Sequence, residues 1–234
     1  AMMREFGMKN DRLHVAGDRF TIKSGSGYSL KAGAYTVESD ASAASYFLAL
    51  PAAVGGCLEI DDLKLDGLQG DAAFAEIIRD LGCEIISNQD GVRVSRERTG
   101  LALDGIEHDF FQISDTFLTL AALAPLLQKE TTITGIAHTR KQETDRVSAV
   151  ATELRKLGQE VIESEDALTI RPRPLQDAEV ETYHDHRIAM SFSILGCHDL
   201  HGNGRPWMAI RNPATCAKTF PSFYQVLEDI RLRT

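Results

Sequence analysis

Apolar and polar positions alternate through "RLHVAGDRFTIKSGSGYSLKAGAYTVES" between Gly-rich turns, which predicts short strands up to about Ser39 after a short helical opening. The glycines of "KSGSGYSLKAG" neither follow a buried strand nor open a helix, so they read as turns and not as a phosphate cradle. From Asp40 onward the pattern changes and returns about every 70 to 75 residues. Each copy opens with a short β-like approach, an Asp and an apolar helix: "VESDASAASYFLALPAA", "FQISDTFLTLAALAPLL" and "ETYHDHRIAMSFSILG". Asp40, Asp115 and Asp185 stand at or next to the predicted N-caps, where a carboxylate accepts backbone N–H groups at the positive end of the helix dipole.

Each copy continues with a strand ("CLEIDDL", "TTITGI", "WMAIRN") and a second, amphipathic helix ("DAAFAEIIRDLG", "DRVSAVATELRKLG", "FPSFYQVLEDI"). The first two of these helices end in Leu-Gly, the sequence of a glycine C-cap. Strand pairs follow them, turning at Asp90-Gly91 and around Glu165-Asp166. The repeated unit is therefore βαβαββ, an α/β fold, in three copies over about 39–108, 109–178 and 179–234. The third copy ends without its strand pair, and residues 1–38 read as a helix end and strands without a preceding half-unit. A piece of a longer cyclic arrangement is expected.

Composition narrows the class. Apolar residues make up 43%, charged residues 25%, and the net charge is −9, a balance of globular proteins. That acidity leaves no basic stripe for nucleic acid, so an anionic ligand needs locally placed cations. Cys57, Cys83, Cys197 and Cys216 lack CxxC spacing and sit beside small or apolar residues, which predicts buried, reduced thiols and a cytoplasmic protein. No apolar run reaches the roughly 18 residues of a membrane span.

Three charged stretches carry candidate chemistry. "RKQETDR", Arg140–Arg146, reads either as a helix start capped by Thr144, with Glu143 and Asp145 near the positive end, or as the wall of an anion site. Arg140, Lys141 and Arg146 crowd the same terminus, where cations oppose the dipole. In "YHDHRIAM", His184 and His186 with Asp185 lack a third metal ligand, whereas Arg187 at a helix N-terminus suits a carboxylate or phosphate. Lys218 lies in the Pro-bounded loop "NPATCAKTFPSF". Lys218 and "RKQETDR" precede second helices, Asp115 and "HDHR" begin first helices, and equivalent ends of repeated units converge on one concave surface.

"SDASAASYFLA", "KQETDRVSAVATELRKLG", "TYHDHRIAM" and "TCAKTFPSFY" occur in order and resemble motifs of the 5-enolpyruvylshikimate-3-phosphate synthase family, in its C-terminal half. The resemblance implies one lobe of an enolpyruvyl transferase-type inside-out α/β barrel over residues 39–234, with residues 1–38 as the end of the other lobe. It implies transfer of the enolpyruvyl group of phosphoenolpyruvate to the 5-hydroxyl of shikimate 3-phosphate, without metal or cofactor. By resemblance Arg146, Arg187 and Lys218 bind phosphoenolpyruvate and Asp115 contacts the shikimate hydroxyls as the base. Glu143 and Lys218 deliver the proton or stabilise leaving phosphate, with His186 in support. Two positions depart from the family pattern: Gln142 stands for a lysine expected near shikimate 3-phosphate, and His138 for an asparagine. The family's N-terminal cations and serines have no counterpart here, which predicts little turnover unless a separate N-terminal half is supplied. The alternatives are the related transferase acting on UDP-N-acetylglucosamine and a non-catalytic truncated or split-enzyme domain.

Overall fold

The structure, a computed structural model, describes Met3, Phe6 and residues 12–25, 27–28, 33–97 and 104–232. The expected helical opening lies largely outside these residues. Leu13–Ala16 (β1) and Arg19–Ile22 (β2) form an antiparallel hairpin, with Val15 opposite Phe20. Residues 33–40 then run into the first helix without joining a sheet, so the β-like approach expected at "VES" is absent. Side chains from a later loop hold this segment instead. Glu38 accepts the Leu68 amide at 2.9 Å, and Gln69 donates to the Ser39 carbonyl at 2.6 Å.

Three helices make the core. Ala41–Val54 (α1), Phe117–Leu123 (α3) and His186–Gly196 (α5) are apolar nearly all round, and a helix of that kind is stable only when surrounded by protein. They pack on one another, so that Tyr46, Leu48, Phe117, Leu118, Phe192 and Leu195 are buried. Their N-terminal ends meet: Ser45 Oγ and Thr119 Oγ1 are 3.0 Å apart, and Arg187 reaches the hydroxyl of Tyr46 and the carboxylate of Asp115.

Sheets and amphipathic helices surround this core. Gly56–Asp61 (β3), Glu84–Ser87 (β4) and Gly91–Arg96 (β5) form an antiparallel sheet in the order β3-β5-β4, with Phe74–Asp80 (α2) between β3 and β4. Glu107–Asp109 (β6), Thr131–Thr134 (β7), Glu160–Glu163 (β8) and Leu168–Arg171 (β9) form a mixed sheet ordered β6-β7-β9-β8, with Arg146–Lys156 (α4) leading into β8. Ala178–Val180 (β10) pairs in parallel with Met208–Ile210 (β11), and Phe223–Arg231 (α6) closes the chain. The Leu-Gly helix ends behave as expected: Gly82 and Gly158 take φ of +99° and +87°, and the Gln159 amide returns to the Leu154 carbonyl. The thiols divide, with Cys83 and Cys216 buried and Cys57 and Cys197 exposed, because the latter two sit at the open ends of β3 and α5.

Gly135 connects β7 to the turn that leads to the charged stretch. Its φ is +74°, and a Cβ there would strike the Asp109 carboxylate and approach the Phe111 nitrogen to 2.8 Å. Asp109 cannot retreat without losing its 2.8 Å bond from the Phe111 amide. Gly135→Ala is therefore expected to cost about 2 kcal/mol and to lower the thermal midpoint by roughly 4–8 °C. A melting curve unchanged within 1 °C by circular dichroism would refute this.

Candidate functional site

The charged stretch folds as a 3-10 turn, Ala137–Lys141, followed by α4 from Arg146. The cap of α4 is Asp145 and not Thr144: its carboxylate accepts the Ser148 amide at 3.0 Å. Asp145 also receives Arg140, which is clamped by Glu163 at 3.1 Å and by the Ser164 and Glu165 carbonyls. Arg140 is thus spent on structure, and Lys141 is exposed. The crowding of cations at this terminus is relieved for Arg140 by protein acceptors, without a ligand.

Arg146 is different. It occupies the first turn of α4, is 1% exposed, and serves four acceptors. Nε donates to Asp185 Oδ2 at 2.7 Å, Nη1 to Asp115 Oδ1 at 2.9 Å and to Gln142 Oε1, and Nη2 to Glu143 Oε2 at 2.7 Å. Asp185 caps α5 through the Arg187 amide and is fully buried. Asp115 lies just before Thr116, the cap residue of α3, so its carboxylate is free to bridge two guanidiniums. Its other oxygen accepts Arg187 Nη2 at 2.8 Å. Lys218 ends a 3-10 turn, Pro213–Lys218, and donates to Glu143 Oε1 at 2.6 Å.

Arg146, Arg187 and Lys218 therefore face Asp115, Glu143 and Asp185, and the six charges cancel. Arg146 is buried and fully paired, whereas Lys218, 56% exposed, sits on a flexible four-carbon stem that can exchange partners. Burial alone would raise the Glu143 pKa, but the hydrogen bond from Lys218 and the charge of Arg146 outweigh it and hold the carboxyl at about 2. The raised pKa needed by a carboxylic acid donor is absent while these cations are in place. Burial pushes the His186 imidazole below its ordinary range, against the pull of Asp185. Both ring nitrogens are buried without a hydrogen-bond partner, and Nδ1 lies 3.6 Å from Asp185, too far for a bond.

The two departures from the motif pattern acquire local roles. The amide oxygen of Gln142 accepts from Arg146, a place where a lysine would set ammonium against guanidinium. His138 Nε2 is 2.8 Å from Ser114 Oγ, and its ring meets Phe111 edge to face at 5.5 Å, beside Asp115 in the chain. Sequence reasoning missed Tyr46 as a partner of Arg187; its signal was the single phenolic hydroxyl in an apolar helix. It weighed Asp185 as a cap and as a weak metal ligand, and not as the partner of Arg146. Among the described residues no group of His, Cys, Asp and Glu is arranged to hold a metal ion, and no helix is long and apolar enough to cross a membrane.

Residues 1–227 match the family model described as EPSP synthase (3-phosphoshikimate 1-carboxyvinyltransferase). The chain belongs to the EPSP synthase family. It is 48% identical over 236 residues to the 3-phosphoshikimate 1-carboxyvinyltransferase of Opitutus terrae, covering all of this chain and 50% of that relative. The enzyme of the same name from Nostoc punctiforme is 41% identical over 97% of this chain and 51% of its own length. A solved structure of EPSP synthase from Acinetobacter baumannii superimposes with a TM-score of 0.77 at 25% identity, covering 97% of this chain and 53% of that one. The chain spans about half the length of the relatives it matches. The family model and the Opitutus terrae and Nostoc punctiforme relatives carry the name 3-phosphoshikimate 1-carboxyvinyltransferase. At the level of fold the neighbours establish an α/β enolpyruvyl transferase architecture with mixed sheets.

Proposed function

We propose that this chain supplies one face of a cleft that transfers the enolpyruvyl group of phosphoenolpyruvate to the 5-hydroxyl of shikimate 3-phosphate. The observation that carries the reading is the meeting of Arg146, Arg187 and Lys218, from three separate elements, around carboxylates that an anionic ligand can replace. Residues 39–234 act as one lobe with repeats at about 39–108, 109–178 and 179–234, and residues 1–38 belong with a second lobe. The run β6-α3-β7-α4-β8-β9 supports the repeat, since it contains one βαβαββ unit over Glu107–Arg171.

In the proposed reaction the carboxylate and phosphate of phosphoenolpyruvate take the donors of Arg187, Arg146 and Lys218, with bidentate geometry available to the guanidiniums. Asp115, relieved of its arginines, faces the shikimate hydroxyls and accepts the 5-hydroxyl proton as the oxygen bonds to C2 of phosphoenolpyruvate. A proton delivered to the methylene carbon by Glu143 or Lys218 completes the tetrahedral intermediate. The group that protonated the methylene carbon, now its conjugate base, takes a proton back from the methyl as the C2–O bond to phosphate breaks, which restores the double bond, and Lys218 accompanies the leaving phosphate. His186, Gln142 and His138 line the flanks.

Half a cleft neither excludes water nor orients two substrates, and orientation is a large share of such a rate. A second lobe, on a separate chain or on the remainder of a longer one, is part of the proposal. The test is phosphate release with both substrates, for the chain alone and mixed with an N-terminal half of the Opitutus terrae relative. The chain alone should turn over below about 1 per second and the mixture well above it. Failure of the mixture, under conditions where the two halves of that relative complement each other, would count against the reading.

A further inference from the structure

Tyr183 and His184, both non-glycine, take left-handed backbone with φ of +52° and +60° immediately before the Asp185 cap. L-residues enter this region one at a time as a rule, and two in succession persist only where their surroundings hold them. Neighbouring side chains hold the pair in place. Glu181 Oε1 accepts the Thr182 and Tyr183 amides at 3.0 and 3.3 Å. The Tyr183 hydroxyl donates to Glu153 Oε1 at 2.6 Å, and His184 Nδ1 lies 3.3 Å from Asn212, itself left-handed, at the start of the turn that ends in Lys218.

Glu153 is a fully buried residue of α4, about two turns after Arg146. It also accepts the Glu181 amide at 3.0 Å and Lys156 at 2.8 Å. The two helices whose first turns carry Arg146 and Arg187 are thus tied at two levels, by Arg146 to Asp185 at the site and by Glu153 to Tyr183 behind it. We infer that Tyr183 is a positioning residue: its hydroxyl, anchored on Glu153, holds the left-handed pair and so fixes where α5 presents Arg187 to Asp115. The placement stands on geometry alone; its consequence for phosphoenolpyruvate rests on the function proposed above.

Tyr183→Phe removes one oxygen and leaves Glu153 with Lys156 and the Glu181 amide, so the fold should survive. In its crystal structure Arg187 should leave Asp115, and calorimetry should show phosphoenolpyruvate binding weakened about tenfold, since a misplaced clamp loses affinity steeply. Adding His184→Gly should recover most of the loss, because glycine adopts positive φ without strain. Ile170→Val, a core change in β9 where it pairs with β7 and β8, controls for general destabilisation and should leave affinity unchanged. Glu153→Gln, which keeps a neutral acceptor for the hydroxyl, is the milder second variant and should show a smaller displacement of the same kind. If Arg187 superimposes on its original position in both the Phe and the Gln variants, the inference is overturned. If the unaltered chain binds no phosphoenolpyruvate, the ligand assignment fails while the crystallographic comparison still decides the role of Tyr183.

Discussion

Arg146→Met will lower the thermal midpoint by roughly 10 °C, the largest stability loss expected of any single change at the site. The substitution keeps an apolar stem out to about the Nε position and removes the guanidinium that compensates Asp185, a residue with no exposed surface. Leaving one member of a buried ion pair costs about 3–5 kcal/mol, because the survivor keeps its desolvation without its partner. In a domain of this size each kcal/mol corresponds to about 2–4 °C. Arg146→Lys should recover only part of the loss, since one ammonium cannot reach Asp185, Asp115, Gln142 and Glu143 as the planar fork does. The double change Arg146→Met with Asp185→Asn should recover most of it, because asparagine removes the stranded buried charge while keeping the acceptor that caps α5 through the Arg187 amide. Calorimetric melting of the three variants checks the set. A single-variant shift below about 2 °C would mean that Asp185 is solvated in solution.

That buried pair also marks where the sequence stopped being readable. The helices and strands were legible because their signals are local: apolar runs for α1, α3 and α5, Leu-Gly ends for α2 and α4, and alternation for β5 and β9. The meeting of the three core-helix starts was legible too, because each begins in a comparable stretch with an Asp at or next to the cap. Pairing was not. Arg140 and Arg146 lie six residues apart in one charged stretch and look alike, yet one meets Asp145 and Glu163 and the other meets Asp115 and Asp185. Which acceptor each finds depends on residues 23 to 39 positions away, brought close by packing of β8 on α4 for Arg140 and by the meeting of core-helix starts for Arg146. The same holds for the cap of α4. Thr144 and Asp145 are both good cap residues, and the turn Ala137–Lys141 decides in favour of Asp145 by setting the first helical residue at Arg146. The segment before α1 reads as a strand by alternation, but Glu38 and Ser39 are engaged by Leu68 and Gln69, which leaves no neighbour to pair with as a ladder.

Binding of phosphoenolpyruvate, in the presence of shikimate 3-phosphate, should take up protons from solution at pH 5.5, and Glu143→Gln should abolish the excess. Without ligand the Glu143 carboxyl sits at about 2 because Lys218 and Arg146 outweigh the upward push of burial. An anion that engages those cations removes the restraint and leaves the burial, so the carboxyl rises toward or above its ordinary value near 4.5. The liganded state binds more protons than the free state between the free value of about 2 and a little above the raised value. Uptake therefore grows toward acid and fades by pH 8. Heats measured in two buffers of different ionisation enthalpy give the number of protons, and the glutamine variant subtracts those that belong to the ligand. Glu143→Gln should also bind the anion roughly tenfold more tightly, since Lys218 loses the competitor it now grips at 2.6 Å. In the reconstituted enzyme the same variant should be nearly inactive if Glu143 is the group that receives and passes the proton. The displaced carboxylate then has two uses in one cycle: it keeps the cations ordered before the substrate arrives, and it becomes an acid only once the substrate has taken its place. Identical proton uptake by the original chain and the glutamine variant would leave Lys218 as the group to deliver the proton, with Glu143 as a counter-ion alone.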